Sequence, residues 1–229
     1  MKILVLGDGL LGSEIVRQTG WDYLSNKKDG IDANDIKSIS TLIPPDVTTI
    51  INCIGNTDTY SYERENHWNI NFKFVVTLYH YCREKNIKLI HISTDYVYAN
   101  STSENKETDV PVHQETWYSY TKLLSDGYMQ LWGDNYLLIR CSFKPTPFPY
   151  EKAYSNVIGT FDYVDVISKQ IIEMVKDNKN GVWNIGTKTK SMYDLALETV
   201  PEMQCWRCDT IPSIKMNIDK FEKHYERKI

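Results

Sequence analysis

The chain has 229 residues, of which 41% are hydrophobic and five are cysteine, and a formal net charge of −4 at pH 7. That length supports one sizeable core with a small appended lobe, and the mildly acidic balance offers no footprint for nucleic acid or an anionic membrane surface. No apolar run reaches the roughly 18 residues that cross a bilayer, and the N-terminus lacks the charged and apolar regions of a leader, so a cytoplasmic protein with no nucleic-acid or membrane partner is expected.

In chain order, Lys2 to Leu6 reads as a strand, Leu11 to Gln18 as a helix, and the residues around Tyr23 as a short strand. Strand Thr48 to Cys53, helix Trp68 to Lys85, strand Lys88 to Ile92, helix Tyr118 to Leu131 and strand Tyr136 to Arg140 follow. This alternation with short links predicts a Rossmann-like, doubly wound α/β fold around a parallel sheet. Pro145, Pro147 and Pro149 then break the pattern, and a helix from Asp165 to Lys176 and a strand from Val182 to Ile185 resume it. The expected organisation is a dinucleotide-binding domain over residues 1–141 and a small, shortened substrate region over residues 142–229, partly interleaved with the first.

Cys53, Cys82 and Cys141 lie in or beside apolar stretches, where reduced cysteine acts as a small hydrophobe. Cys205 and Cys208 form a C-x-x-C with no second pair, so no metal or redox centre is expected there.

Gly7-Asp8-Gly9-Leu10-Leu11-Gly12 is a G-x-G-x-x-G set between a strand and a helix. The first glycine permits the turn, the second lets backbone amides approach a pyrophosphate, the third packs helix on strand, and the helix N-terminus adds partial positive charge. Dinucleotide binding is the expectation, with the backbone of Gly7, Gly9, Leu10, Leu11 and Gly12 as contacts. Past the second strand, Lys27 and Lys28 suit an adenosine 2′-phosphate, whereas Asp29 suits a free ribose hydroxyl; NADP(H) is favoured over NAD(H).

Tyr118-Ser119-Tyr120-Thr121-Lys122 is Y-x-x-x-K, which puts phenol and ammonium on one helix face. Tyr23 to Lys27 and Tyr81 to Lys85 share the spacing, but only Tyr118 follows a strand that ends in hydroxyl residues, Ser93-Thr94. Reduction of a carbonyl needs a proton donor, and Tyr118 donates better with Lys122 lowering its pKa, while Thr94 hydrogen-bonds the developing oxyanion.

With these residues in place, the chain resembles the extended short-chain dehydrogenases/reductases, and among them the dTDP-4-dehydrorhamnose reductases. The resemblance spans nearly the whole chain: Gly7/Gly9/Gly12, Ile31-Asp32 with Asp35, Asn52-Cys53-Ile54-Gly55, Asn71, Ser93-Thr94-Asp95-Tyr96-Val97-Tyr98, Glu107-x-Asp109-x-Pro111, Tyr118 to Lys122, and Arg140-x-Ser142. It implies that Thr94, Tyr118 and Lys122 are catalytic, that Lys122 also holds the nicotinamide ribose, and that Asp32 and Asn52 lie along the cofactor. It further implies NADPH-dependent reduction of a keto group on a nucleotide-linked 4-keto-6-deoxysugar, and a dimer face on the Trp68 to Lys85 and Tyr118 to Leu131 helices. Tyr96 stands where dehydratases of this family carry an acid, which disfavours dehydration. The alternatives are an epimerase or epimerase-reductase, with His113 or Cys141 as an added acid-base group, and a non-catalytic NADP-binding regulatory subunit.

Overall fold

The computed structural model describes residues 1–112 and 116–225. Six parallel strands form the central sheet: β1 Ile3–Leu6, β2 Asp22–Leu24, β3 Thr49–Asn52, β4 Lys88–Thr94, β5 Tyr136–Cys141 and β6 Gly181–Asn184. Their spatial order is β2-β1-β3-β4-β5-β6, so the winding reverses between β1 and β3 and opens a crevice at the carboxyl ends of those strands. A parallel sheet needs cover on both faces, and the strand residues alternate accordingly. Ile3, Val5, Ile51, Ile90, Leu137 and Ile139 point into one core, while Leu4, Leu6, Ile50, Leu89 and Leu138 point into the other.

Helix α1 (Leu10–Thr19) covers the first face and buries Leu11 and Ile15. On the second face lies α2 (Phe74–Glu84), preceded by a helical turn Arg64–His67 and a π-helical turn Trp68–Lys73. The helix expected from Trp68 therefore begins one turn earlier and carries a π-bulge. That bulge turns Asn71 inward, where Oδ1 accepts the Asn56 N–H at 2.8 Å and Nδ2 donates to the Asn56 carbonyl at 2.9 Å. Helix α3 (Trp117–Trp132) packs beside it, its N-terminus capped by Thr116, whose hydroxyl accepts the Ser119 N–H at 3.1 Å.

After β5 the chain leaves the sheet through short strands Phe143–Lys144, Lys152–Tyr154 and Ile158–Gly159, then returns with α4 (Val164–Lys176) against α1 and with β6 beside β5. Phe148, Ala153 and Phe161 of this excursion share a small core with Leu195, Ala196 and Met203, which follow β6. Residues 164–185 follow residue 141 in the chain and supply α4, against α1, and β6, beside β5. No helix among the described residues is long and apolar enough to cross a membrane.

Candidate active site

The glycine turn joins β1 to α1. Gly7 has φ +95°, a left-handed conformation that favours glycine, and a Cβ on Gly12 would lie 2.0 Å from the Gly7 carbonyl oxygen. Gly9 differs: its φ is −65°, and a Cβ there would point into open space at the helix N-terminus, which carries no acidic residue in its first turn. Open space over free amides at a positive helix end fits a pyrophosphate. Leu10 is exposed, whereas the Leu11 side chain is in the core, so only its backbone is offered.

At the end of β2, Ser25 caps the short helix Asn26–Asp29, and its backbone N–H donates to Asp29 Oδ2 at 3.0 Å. That contact occupies one oxygen of Asp29. Lys27 is exposed. Lys28 folds back, its Nζ 3.2 Å from the Tyr23 carbonyl oxygen and 4.3 Å from the Tyr23 ring centroid. Asp32 is exposed, and its Oδ1 accepts two hydrogen bonds from Asn34. Asn52 is fully buried with its amide committed to protein: Oδ1 accepts the Ile54 N–H at 3.1 Å and Nδ2 faces His91. It braces the wall of the crevice rather than lining it.

The structure brings Thr94, Tyr118 and Lys122 together. Thr94 ends β4, Tyr118 sits in the first turn of α3, and Lys122 lies one turn on, buried against β4. Thr94 is hydrogen-bonded to the phenol of Tyr118, accepts the Tyr96 N–H at 3.2 Å, and lies 3.1 Å from Asp95 Oδ1 as a donor. Asp95 is buried, and burial pushes its carboxyl up to about 6 against the opposing pull of Thr94 and of the Lys144 ammonium. The Tyr118 ring is held between two edge-on neighbours, Tyr96 at 5.8 Å and His67 at 6.3 Å between centroids.

One expectation is corrected here. Lys122 does not lower Tyr118; burial raises the phenol above its ordinary range, and only the Thr94 hydrogen bond opposes it. Lys122 Nζ donates to the Ile92 carbonyl at 2.6 Å, and burial lowers the ammonium to about 8. Cys53 lies between the two halves of the site, 3.3 Å from the position of a Gly12 Cβ and within electrostatic reach of Lys122.

Beside this cluster opens a cavity of about 830 Å³ whose wall includes Tyr60, Tyr62, Trp117, Tyr120, Tyr154 and Ile211. Tyr60 connects it to the phenol through Tyr96, the two hydroxyls being 3.1 Å apart. Asp95, His67, Tyr60 and His91 were missed by motif reading; only Asp95 and Tyr96 had a signal, as members of the S-T-D-Y block. Cys141 is buried with its thiol pushed up by burial, which leaves it a poor acid-base group, and His113 lies outside the described residues. Cys205 is exposed on a short edge strand and Cys208 half-buried, both free, and no three metal-ligating side chains converge among the described residues.

A parallel sheet with its crevice at the β1/β3 reversal, a glycine turn there, and a Thr-Tyr-Lys cluster at the end of β4 define a nicotinamide-dependent oxidoreductase of the short-chain dehydrogenase/reductase type. The model of the RmlD substrate binding domain matches residues 1–179, and the chain belongs to that family. Among curated proteins no relative is found. Solved structures share the fold. A hypothetical dTDP-4-dehydrorhamnose reductase from Sulfolobus tokodaii is 20% identical over 97% of this chain and 94% of its own, with a TM-score of 0.83. The dTDP-4-dehydrorhamnose reductase from Bacillus anthracis, in complex with NADP, is 17% identical over 97% and 92%, also at 0.83. UDP-glucuronic acid 4-epimerase from Bacillus cereus, in complex with NAD, is 16% identical over 97% and 89%, at 0.71.

Proposed function

We propose that the protein is a cytoplasmic NADPH-dependent reductase of a keto group on a nucleotide-linked sugar of the 4-keto-6-deoxy type. The observation that carries this reading is the hydrogen-bonded Thr94–Tyr118 pair with Lys122 one turn away, linked through Tyr96 and Tyr60 to a roomy aromatic cavity. The amides of the turn and the N-terminus of α1 would hold the pyrophosphate, and Lys27 and Lys28 the adenosine 2′-phosphate, Lys28 after leaving Tyr23. A bound NADPH would supply hydride to the keto carbon. Tyr118 gives its phenolic proton to the carbonyl oxygen, Thr94 hydrogen-bonds that oxygen as charge develops, and Lys122 holds the nicotinamide ribose. Tyr60, Trp117 and Tyr120 offer flat faces to the sugar and its carrier base.

The test is oxidation of NADPH and of NADH followed across a panel of nucleotide-linked 4-keto-6-deoxysugars. Turnover with NADPH on at least one member supports the reading, and tight NADPH binding without turnover on any member sinks it. Support for dimerisation comes from the exposed aromatic face that Tyr128 and Trp132 of α3 form with His80 of α2; sedimentation of the whole chain measures it.

A further inference from the structure

Lys122 is approached from four elements. On β4, the Ile92 carbonyl accepts from Nζ at 2.6 Å and His91 presents Nε2 at 3.4 Å. Cys53 follows β3 and Cys141 ends β5; burial pushes both thiols up, Cys53 to about 12, so both are neutral. Asp126, one turn along α3, has its carboxylate engaged by Arg140 at 2.8 and 2.9 Å. Among the described residues, His91 is therefore the one neighbour whose polarity toward Lys122 can reverse.

That polarity is fixed by Asn52. Its Oδ1 takes the Ile54 N–H at 3.1 Å, which leaves the amide N–H₂ facing His91 Nδ1 at 3.2 Å. The His91 ring is fully buried, and burial together with Lys122 holds it well below the usual imidazole range, so it is neutral. A neutral imidazole that accepts at Nδ1 carries its only proton on Nε2. The Nε2–H then points at Lys122 Nζ, where a free amine can accept it and an ammonium cannot.

We propose that His91, locked as its Nε2–H tautomer by Asn52, is a positioning residue that sets the protonation state of Lys122. The pair works from behind the crevice, out of contact with the reacting atoms. It disfavours the ammonium in step with burial and against the pull of the Ile92 carbonyl, which keeps Lys122 poised between its two forms in mildly alkaline solution. The consequence for catalysis rests on the proposed role of Lys122 in holding the ribose, so the test has arms that need no cofactor.

With ¹⁵N-histidine in the whole chain, nuclear magnetic resonance should show His91 neutral and Nε2-protonated from pH 6 to 9. With ¹³C-lysine, Lys122, assigned by its loss in Lys122→Arg, should titrate near 8. Asn52→Asp puts an acceptor opposite Nδ1, so the ring proton moves there, Nε2 becomes an acceptor for the ammonium, and the Lys122 inflection rises by about one unit or more. His91→Gln, which can present an amide N–H at the same place, should hold the inflection near that of the parent. A charged or Nδ1-protonated His91 in the parent overturns the proposal, as does a Lys122 inflection that stays put in Asn52→Asp. The pH at which NADPH affinity falls should move with Lys122 in each variant. Complete failure to bind NADPH would instead sink the reductase reading and leave the His91 result standing.

Discussion

Two glycines of one turn should fail in opposite ways when given side chains. In Gly12→Ala the new Cβ would lie 2.0 Å from the Gly7 carbonyl oxygen and 3.0 Å from its carbon, both backbone atoms with no rotamer to escape into. Helix α1 would have to lift off β1 while Leu11 and Ile15 remain in the core. Overpacking of this kind costs about 1–3 kcal/mol and occasionally more, and we place it at about 3 kcal/mol. For a chain of this size that lowers Tm by about 6–12 °C. A Cβ on Gly9 meets nothing within 4 Å at a φ of −65°, so Gly9→Val should stay within about 0.5 kcal/mol of the parent in stability. It should nevertheless lose NADPH, because the valine fills the space over the helix N-terminus. The assay is thermal unfolding with and without NADPH. At a hundredfold excess over Kd the cofactor stabilises the parent by about 2.7 kcal/mol, and Gly9→Val should show no such gain. A Gly9→Val protein that NADPH still stabilises, or a Gly12→Ala protein that melts with the parent, would refute the reasoning.

Tyr118→Phe should reduce ketone reduction by about 10²-fold or more with NADPH affinity little changed, while Tyr81→Phe, with the same Y-x-x-x-K spacing on α2, should match the parent in steady-state assays. Lys27→Ala combined with Lys28→Ala should weaken NADPH more than NADH in calorimetric titration; equal losses would remove the lysines from 2′-phosphate recognition. Asp126→Ala leaves the fully buried Arg140 without its bidentate partner and should cost about 3–5 kcal/mol in denaturant unfolding. The raised carboxyl of Asp95 makes its ionised form a burden of about 3 kcal/mol above pH 6, relieved as pH falls from 6 toward 4. Asp95→Asn should therefore be more stable than the parent at pH 8, with the gap closing toward pH 4; a constant gap across that range would show that the carboxyl is not perturbed.

What the residues alone revealed was whatever is local or periodic. The run Lys2 to Leu6 could be placed as a buried strand from its composition, and Tyr118 was singled out from three tyrosines of identical spacing by the strand that precedes it. What stayed hidden depends on distant partners. The π-helical turn at Trp68–Lys73 has no composition of its own, and the contact it accompanies, Asn71 on the Asn56 backbone, joins residues 15 apart in the chain. Lys122 was expected to act on Tyr118, yet it is buried with its Nζ donating to the Ile92 carbonyl, and no spacing rule reports how deep a lysine sits. His91 had no motif to announce it; its meaning comes from Asn52 and Lys122, which stand on two other elements.

The excursion between β5 and α4 has a bearing on how such a chain can be remodelled. Its two ends are pinned by elements of the central sheet and its layers, and its Phe148, Ala153 and Phe161 share a core with Leu195, Ala196 and Met203, which follow β6. Closing a loop between fixed ends becomes only slowly more costly with length, about 0.6 kcal/mol per doubling. A longer insert between β5 and α4 that keeps Phe148, Ala153 and Phe161 on that shared core would reshape the mouth of the aromatic cavity while the glycine turn and the Thr-Tyr-Lys cluster, fixed by other elements, keep their places.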